Sequence, residues 1–337
     1  MAAPRHARET ITSFLGDVAF AATGASTGPL ARNGPALAAE YVRRATVAEL
    51  RPDRADVVVA ASHFLPDAAA VHAARRTGAH GVAFVYHLVA NRRDRTLRTQ
   101  WSRLDEATSL RLLRNAAGTV FTSNAATLAE LRDRGFRPTR TDVGLDVRSF
   151  RRGEPDHAAP TILFLARIVP KKGLLDLVEA LPTVLHAVPA ARVVVAGVGP
   201  HRSTVERRAA ALGVAAALDW RGYVTEDEKR ELLATCRLLA APSYEEGWGI
   251  SVAEAMASRL PVVAYSLPTL DEVFGNGYCG VTPGATDELA RAIVAVLRDD
   301  GEARRLADAG VAAVAHYDLD AVAERELREI VRQIGRA

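Results

Sequence analysis

Short, unbroken runs of branched apolar residues alternate along this chain with segments of helix length, and that rhythm constrains the fold more than any other feature. Asp56 to Ala61 (DVVVAA), Gly81 to Tyr86 (GVAFVY) and Thr119 to Thr122 read as strands buried on both faces. Helices are expected between and after them, over Pro66–Arg76, Arg95–Asn115 and Asn124–Arg134, the last stopped by Gly135. The rhythm resumes with strands at Thr161–Leu165, Arg192–Ala196, Leu218–Arg221, Leu238–Ala241 and Pro261–Tyr265. Helices fall at Leu174–Val188, Arg202–Leu212, Glu226–Thr235, Val252–Ser258, Thr286–Arg298 and Asp318–Ile334. Strands alternating with helices imply an α/β fold with parallel sheets covered on both sides.

The polar stretch Arg151 to Pro160 (RRGEPDHAAP) separates two such series and reads as a linker. A length of 337 residues agrees with two domains. Residues 1–152 are expected to form the first, 153–317 the second, and 318–337 a helix packing back toward the first. The opening fifty residues carry weaker signals: Ile11 to Ala21 as a strand or short helix, Gly24 to Pro35 as a loop, Pro35 to Leu50 as a helix. The first domain therefore reads as incomplete, without an opening strand and the Gly-rich turn after it.

Composition narrows the function. Hydrophobic residues at 49% and charged residues at 25% exclude wholesale disorder. A net charge of +3, with no basic cluster interleaved with aromatics, argues against nucleic-acid binding. Cys236 and Cys279 are too few for a disulfide framework or a zinc site and read as small apolar thiols. No apolar run reaches the ~18 residues that span a bilayer, and Glu9 together with Gly16 and Asp17 spoils a signal peptide around Ile11 to Ala22. A cytoplasmic protein is expected, with contact at the inner membrane face open. Lysine occurs only at Lys171, Lys172 and Lys229, arginine supplying the other basic residues. Two adjacent lysines therefore call for a local reason.

Three constellations carry chemistry. In FLARIVPKKG, Arg167 lies just past a strand end, where open α/β sheets bind ligands, and Lys172 precedes Gly173 and a helix. A guanidinium fork and an ammonium together suit two phosphates, whereas Lys171 reads as a solvated charge. In AGVGP, Gly197 and Gly199 either admit a nucleotide to the backbone or make a tight turn. In PSYEEGWGISVAEAMA, Glu246 and Glu254 stand seven residues apart. Gly247 and Gly249 flank Trp248 there, and a helix start offers free amides to an anion. For Glu254 a ligand-free alternative stays open, a capping box with Ser251. In the first series His87 ends a strand at the sheet's C-terminal edge, where it meets a sugar or bonds a nearby carbonyl. His63 lies similarly after DVVVAAS, while Ser62, Ser123 and Asn124 follow strand ends and equally suit helix caps.

From Ile162 to about Arg298 these motifs, with RGYVTEDEKRELLATCRLLAAPSYEEGWGISVAEAMASRLPVVA and PTLDEVFGNGYCG, resemble the retaining GT-B glycosyltransferases of family 4 (glycosyl transferases group 1). VYH, TVFTSNAATLAEL and GLDVRSF agree in the first series, so the likeness extends over most of residues 50 to 310. The resemblance implies two Rossmann-like doubly wound domains facing a cleft. It implies that Arg167 and Lys172 bind a donor diphosphate, assisted by amides near Ile250, Ser251 and Val252. Glu246 would hold donor-sugar hydroxyls beside the amides of Gly247, Trp248 and Gly249, and Glu254 the ribose. Tyr223 and Val224 would contact the base, Gly197 and Gly199 would line the donor site, and His87 would stand near the transferred sugar. No metal and no cofactor beyond the nucleotide diphosphate sugar is expected, with a saccharide, lipid or small molecule as acceptor. Two departures from the family are the opening strand with its Gly-rich loop, and Val143-Gly144-Leu145 where Asn-Gly is usual. They keep open a non-catalytic nucleotide-sugar binding protein or partner subunit. An epimerase shares the architecture but not the Glu-x7-Glu loop.

Overall fold

The computed structural model describes residues 57–75, 78–86, 88, 97–150 and 159–335. The expected elements before residue 57, the residue His87 and most of the linker at 151–160 lie outside the described residues. The chain divides into two compact units, 1–140 with 329–337, and 141–328.

The first unit runs β1 (Val57–Ala60), α1 (Leu65–Ala74), β2 (His80–Phe84), α2 (Leu97–Ala116), β3 (Ala117–Thr122), α3 (Ala125–Asp133) and β4 (Thr139–Arg140). The four strands form one parallel sheet in chain order. Val71, Val85, Leu113, Val120 and Leu131 fill its core. Asn124 caps α3, accepting from the Thr127 N–H at 2.8 Å while its Nδ2 donates to the Tyr86 carbonyl at 2.9 Å. Ser62 donates to Asp67 Oδ2 of α1 from both its amide at 2.8 Å and its hydroxyl at 2.6 Å. His63 is buried 3.4 Å from Glu106, and the Ser123 hydroxyl is buried without a partner among the described residues.

The second unit begins with the short helix α4 (Val147–Phe150). It continues β5 (Thr161–Leu165), α5 (Leu174–Ala187), β6 (Arg192–Ala196), α6 (Arg202–Ala211), β7 (Leu218–Gly222), α7 (Glu226–Thr235), β8 (Leu238–Ala241) and α8 (Ile250–Ala257). Then come β9 (Val262–Tyr265), α9 (Pro268–Phe274), β10 (Cys279–Val281), α10 (Thr286–Arg298), α11 (Asp300–Val314) and α12 (Leu319–Ile334). All six strands are parallel, in the order β10-β9-β8-β5-β6-β7. Counted from β5 this is the doubly wound order 3-2-1-4-5-6, which reverses direction between β5 and β8.

The domain boundary falls earlier than expected, at Arg140 rather than 152. Leu145, Val147 and Phe150 are buried in the same apolar cluster as Trp248, Val252 and Tyr317, so they belong to the second unit. Leu145 is stitched there by its N–H to the Tyr317 carbonyl at 2.8 Å and by the Leu319 N–H to its own carbonyl at 2.9 Å. Only the last turns of α12, from Glu329, group with the first unit.

Candidate functional site

The reversal between β5 and β8 opens a crevice at their C-terminal ends, because the two following helices leave to opposite faces of the sheet. The loop after β5 carries Arg167 and Lys172, and the loop after β8 carries Glu246. Backbone contact locks the loops together. The Tyr244 N–H donates to the Lys171 carbonyl at 2.8 Å. Gly173 has φ +70°, and a Cβ there would meet the Pro242 carbonyl oxygen at 1.8 Å. Tyr244 and Tyr265 both donate their phenols to Asp176 Oδ2 of α5, the latter at 2.6 Å, fixing the second loop onto the first helix.

Lys172 Nζ consequently stands 2.6 Å from Glu246 Oε1, with the two side chains only 16% and 11% exposed. The neighbouring pair, Lys171 with Glu245 at 3.1 Å, is far more open to solvent. Arg167 is exposed, and its guanidinium makes no hydrogen bond or ion pair among the described residues. The structure thus pairs Lys172 with Glu246 across the two loops, leaves Arg167 exposed on the first of them, and sets Lys171 in the more open pair.

Gly197 and Gly199 brace the Arg167 loop. Ile168 donates to the Val198 carbonyl at 3.0 Å and accepts from the His201 N–H at 3.2 Å. A Cβ on Gly197 would meet the Ala166 carbonyl oxygen at 1.9 Å, and one on Gly199 that of Ile168 at 2.2 Å. Close backbone packing accounts for both glycines.

Two local expectations are corrected around Glu254. Helix α8 starts at Ile250, two residues before the expected Val252, with Gly249 as its N-cap and no side-chain cap bond. Glu254 therefore sits beyond the third helical position, and the Ser251 capping box does not form. The capping box in this region is instead Thr225 with Glu228 at the start of α7. Trp248, whose amide is expected beside the donor, has a side chain only 4% exposed that packs edge-on against Phe274 and Tyr317. It anchors the loop from inside. The amides of Ile250, Ser251 and Val252 precede the first intrahelical bond, from Ala253 to the Gly249 carbonyl, and keep their N–H groups available to an anion.

Glu254 is itself only 7% exposed. Its Oε1 bonds Lys229 Nζ at 2.6 Å, and Lys229 also reaches Glu226 Oε2 at 2.8 Å. Burial pushes the Glu254 carboxyl above its ordinary value, an effect the Lys229 bond and charge only partly offset. Burial pulls Lys229 down, but its bonds to Glu226 and Glu254 outweigh that and leave it raised. Lys229 was missed by sequence reasoning, although it is the third of three lysines in an arginine-rich chain. Just before α7, Tyr223 is 81% exposed while Val224 packs on the core cluster that holds Trp248. Among the described residues no group of three or more His, Cys, Asp or Glu could hold a metal ion, and no helix is long and apolar enough to cross a membrane.

Known proteins agree with this architecture. The structure of Anabaena Alr3699/HepE in complex with UDP and glucose superposes with a TM-score of 0.71 at 18% identity, covering 90% of this chain and 83% of that one. Sucrose-phosphate synthase from Thermosynechococcus elongatus gives a TM-score of 0.69 at 18% identity, over 84% and 74%. In sequence, the phosphatidyl-myo-inositol mannosyltransferase of Mycobacterium leprae is 34% identical over 172 residues, 50% of this chain and 45% of that protein. The alpha-D-kanosaminyltransferase of Streptomyces kanamyceticus is 29% identical over 62% of this chain and 54% of its own. The chain spans about half the length of the curated relatives it matches. Two parallel-sheet units, the second with a ligand crevice at its switch point, define a GT-B protein. Residues 148–312 match the family described as glycosyl transferases group 1.

Proposed function

We propose that this chain works as a retaining glycosyltransferase, moving a sugar from a nucleotide diphosphate sugar to an acceptor hydroxyl without a metal or other cofactor. The observation that carries the reading is the pairing of Lys172 with Glu246 across the two loops at the switch point, ahead of the uncapped N-terminus of α8, with Arg167 on the same loop as Lys172. Arg167 and Lys172 hold the diphosphate and, with the α8 dipole, stabilise the charge that builds on it as the sugar leaves. Glu246 takes sugar hydroxyls, Glu254 the ribose, and Tyr223 with Val224 the base. The acceptor attacks on the face from which the nucleotide departs, and the leaving phosphate takes the acceptor proton, so configuration is retained. His87 is assigned beside the transferred sugar by the family resemblance.

Relatives named for phosphatidylinositol and for kanosamine transfer support a saccharide, lipid or small-molecule acceptor. A lipid acceptor would draw a cytoplasmic protein to the inner face of its membrane. The experiment is a panel of UDP and GDP sugars, scored for nucleotide release with and without candidate acceptors. Turnover of one donor is expected, falling ~10²-fold or more in Glu246→Gln at an unchanged melting temperature. Full turnover in that variant overturns the reading.

A further inference from the structure

We propose that Lys229 is a positioning residue for donor binding. By holding one carboxylate oxygen of Glu254, it presents the other to the paired hydroxyls of a nucleotide ribose. The inference rests on the donor-site reading above and adds to it a group outside the expected site.

The pair is built rather than incidental. Lys229 lies on α7 and Glu254 on α8, yet their side chains meet at 2.6 Å and are 14% and 10% exposed. The bond goes to Oε1, and no other hydrogen bond reaches the Glu254 carboxylate among the described residues. Lys229 is steadied from two further sides. Glu226, one turn earlier on α7, holds it at 2.8 Å, and its Nζ lies 5.9 Å from the centre of the Phe150 ring. A carboxylate this buried favours its neutral form unless a cation faces it. Lys229 supplies that cation. Glu226 opposes it and Arg230 assists it, all from α7.

The residue type is informative. This chain uses arginine for 40 of its 43 basic residues and lysine for three. A guanidinium fork facing Glu254 would take both oxygens, whereas an ammonium is a point donor that engages one. Lysine is therefore the cation that charges Glu254 and still leaves Oε2 for a ligand. The same helix starts just after Tyr223 and Val224, so Lys229 ties the segment assigned to the base to the carboxylate assigned to the ribose.

The test compares UDP or GDP, whichever the protein binds, with its 2′-deoxy analogue by calorimetric titration. The unsubstituted protein should prefer the ribonucleotide by about tenfold or more, the range for a hydrogen bond to a charged group. Lys229→Met should abolish most of that preference while leaving 2′-deoxy binding nearly unchanged. What preference remains should fade as pH drops, because Glu254 then protonates more readily. Lys229→Arg should restore the charge but not the preference. Adding Lys229→Met to Glu254→Gln should bring no further loss. Should Lys229→Met melt early, Lys229→Gln carries the same comparison. Equal weakening of both nucleotides in Lys229→Met, or an intact preference, overturns the role of Lys229. Arg167→Ala separates the two failures: unchanged nucleotide binding in that variant, or no binding by the unsubstituted protein, overturns the donor reading and this inference with it.

Discussion

Lys172 and Glu246 form one ion pair, Nζ to Oε1 at 2.6 Å, across the two loops that leave β5 and β8. The cation assigned to the diphosphate and the carboxylate assigned to the sugar are thus each other's partner before any ligand arrives. A bare nucleotide diphosphate must compete with Glu246 for Lys172 and approach a carboxylate of its own sign. Glu246→Gln removes both obstacles. It should bind UDP or GDP as well as the unsubstituted protein or a few-fold tighter, even while donor turnover collapses. Titration with the nucleotide alone checks this; a large loss of nucleotide affinity would place Glu246 on the phosphates instead of the sugar.

Trp248 belongs to the core between Phe274 and Tyr317, not to the ligand surface. Trp248→Ala should destabilise the protein by ~3–5 kcal/mol, in the range for a large buried aromatic. Trp248→Phe should keep nucleotide affinity at a smaller loss of stability. Denaturant unfolding beside nucleotide titration checks both, and a Phe variant that folds normally but loses nucleotide would return Trp248 to the site.

Strands were legible where they are buried on both faces. Branched apolar runs mark β5, β6 and β8 to the residue, and the periodic faces of α7 and α10 are equally plain. The stretch from Pro268 to Val314 was only partly legible. Helix α9 is seven residues long and β10 only three. Helix α11 buries small residues such as Ala303, Ala307 and Gly310, which give little periodic contrast. Within the site, the Glu-x7-Glu spacing and lysine scarcity pointed to Lys172, Glu246 and Glu254. No local signal pairs Lys229 with Glu254, 25 residues away on another helix, or seats Trp248 on Tyr317. The false capping box at Ser251 arose because Gly249, at φ +102°, starts α8 earlier.

Gly173 joins the two site loops at the point of closest backbone approach. Gly173→Ala forces a side chain onto the Pro242 carbonyl in a left-handed conformation. It should destabilise the protein by ~1–3 kcal/mol or more and weaken nucleotide binding with it. Gly247→Ala is the control, since a Cβ there meets nothing within 4 Å and no positive φ is required. Thermal melts of the two variants should differ clearly; equal stability would contradict the role given to Gly173.

Glu254 gives a pH signature of known sign. Its carboxyl lies above its ordinary value because burial disfavours the charge. The folded state then binds this proton more tightly than the unfolded chain does. The contribution of Glu254 to stability is fully present below its unfolded value and is lost as pH rises through its folded value. The stability of the unsubstituted protein relative to Glu254→Gln should therefore fall as pH rises through and above the ordinary glutamate range, from about pH 4 upward. Denaturant midpoints of both proteins across that range check it, and a gap that widens as pH rises would reverse the assignment.

The most direct measurement of the donor crevice is calorimetric titration of UDP and GDP into the unsubstituted protein and three single variants. Arg167→Ala and Lys172→Ala should each lose ~1.5–3 kcal/mol of binding, as expected for charged hydrogen bonds to phosphate. Lys171→Ala should bind almost normally, because Lys171 pairs with Glu245 at the solvent-exposed rim. Equal losses at Lys171 and Lys172, or no nucleotide binding by the unsubstituted protein, would contradict the account.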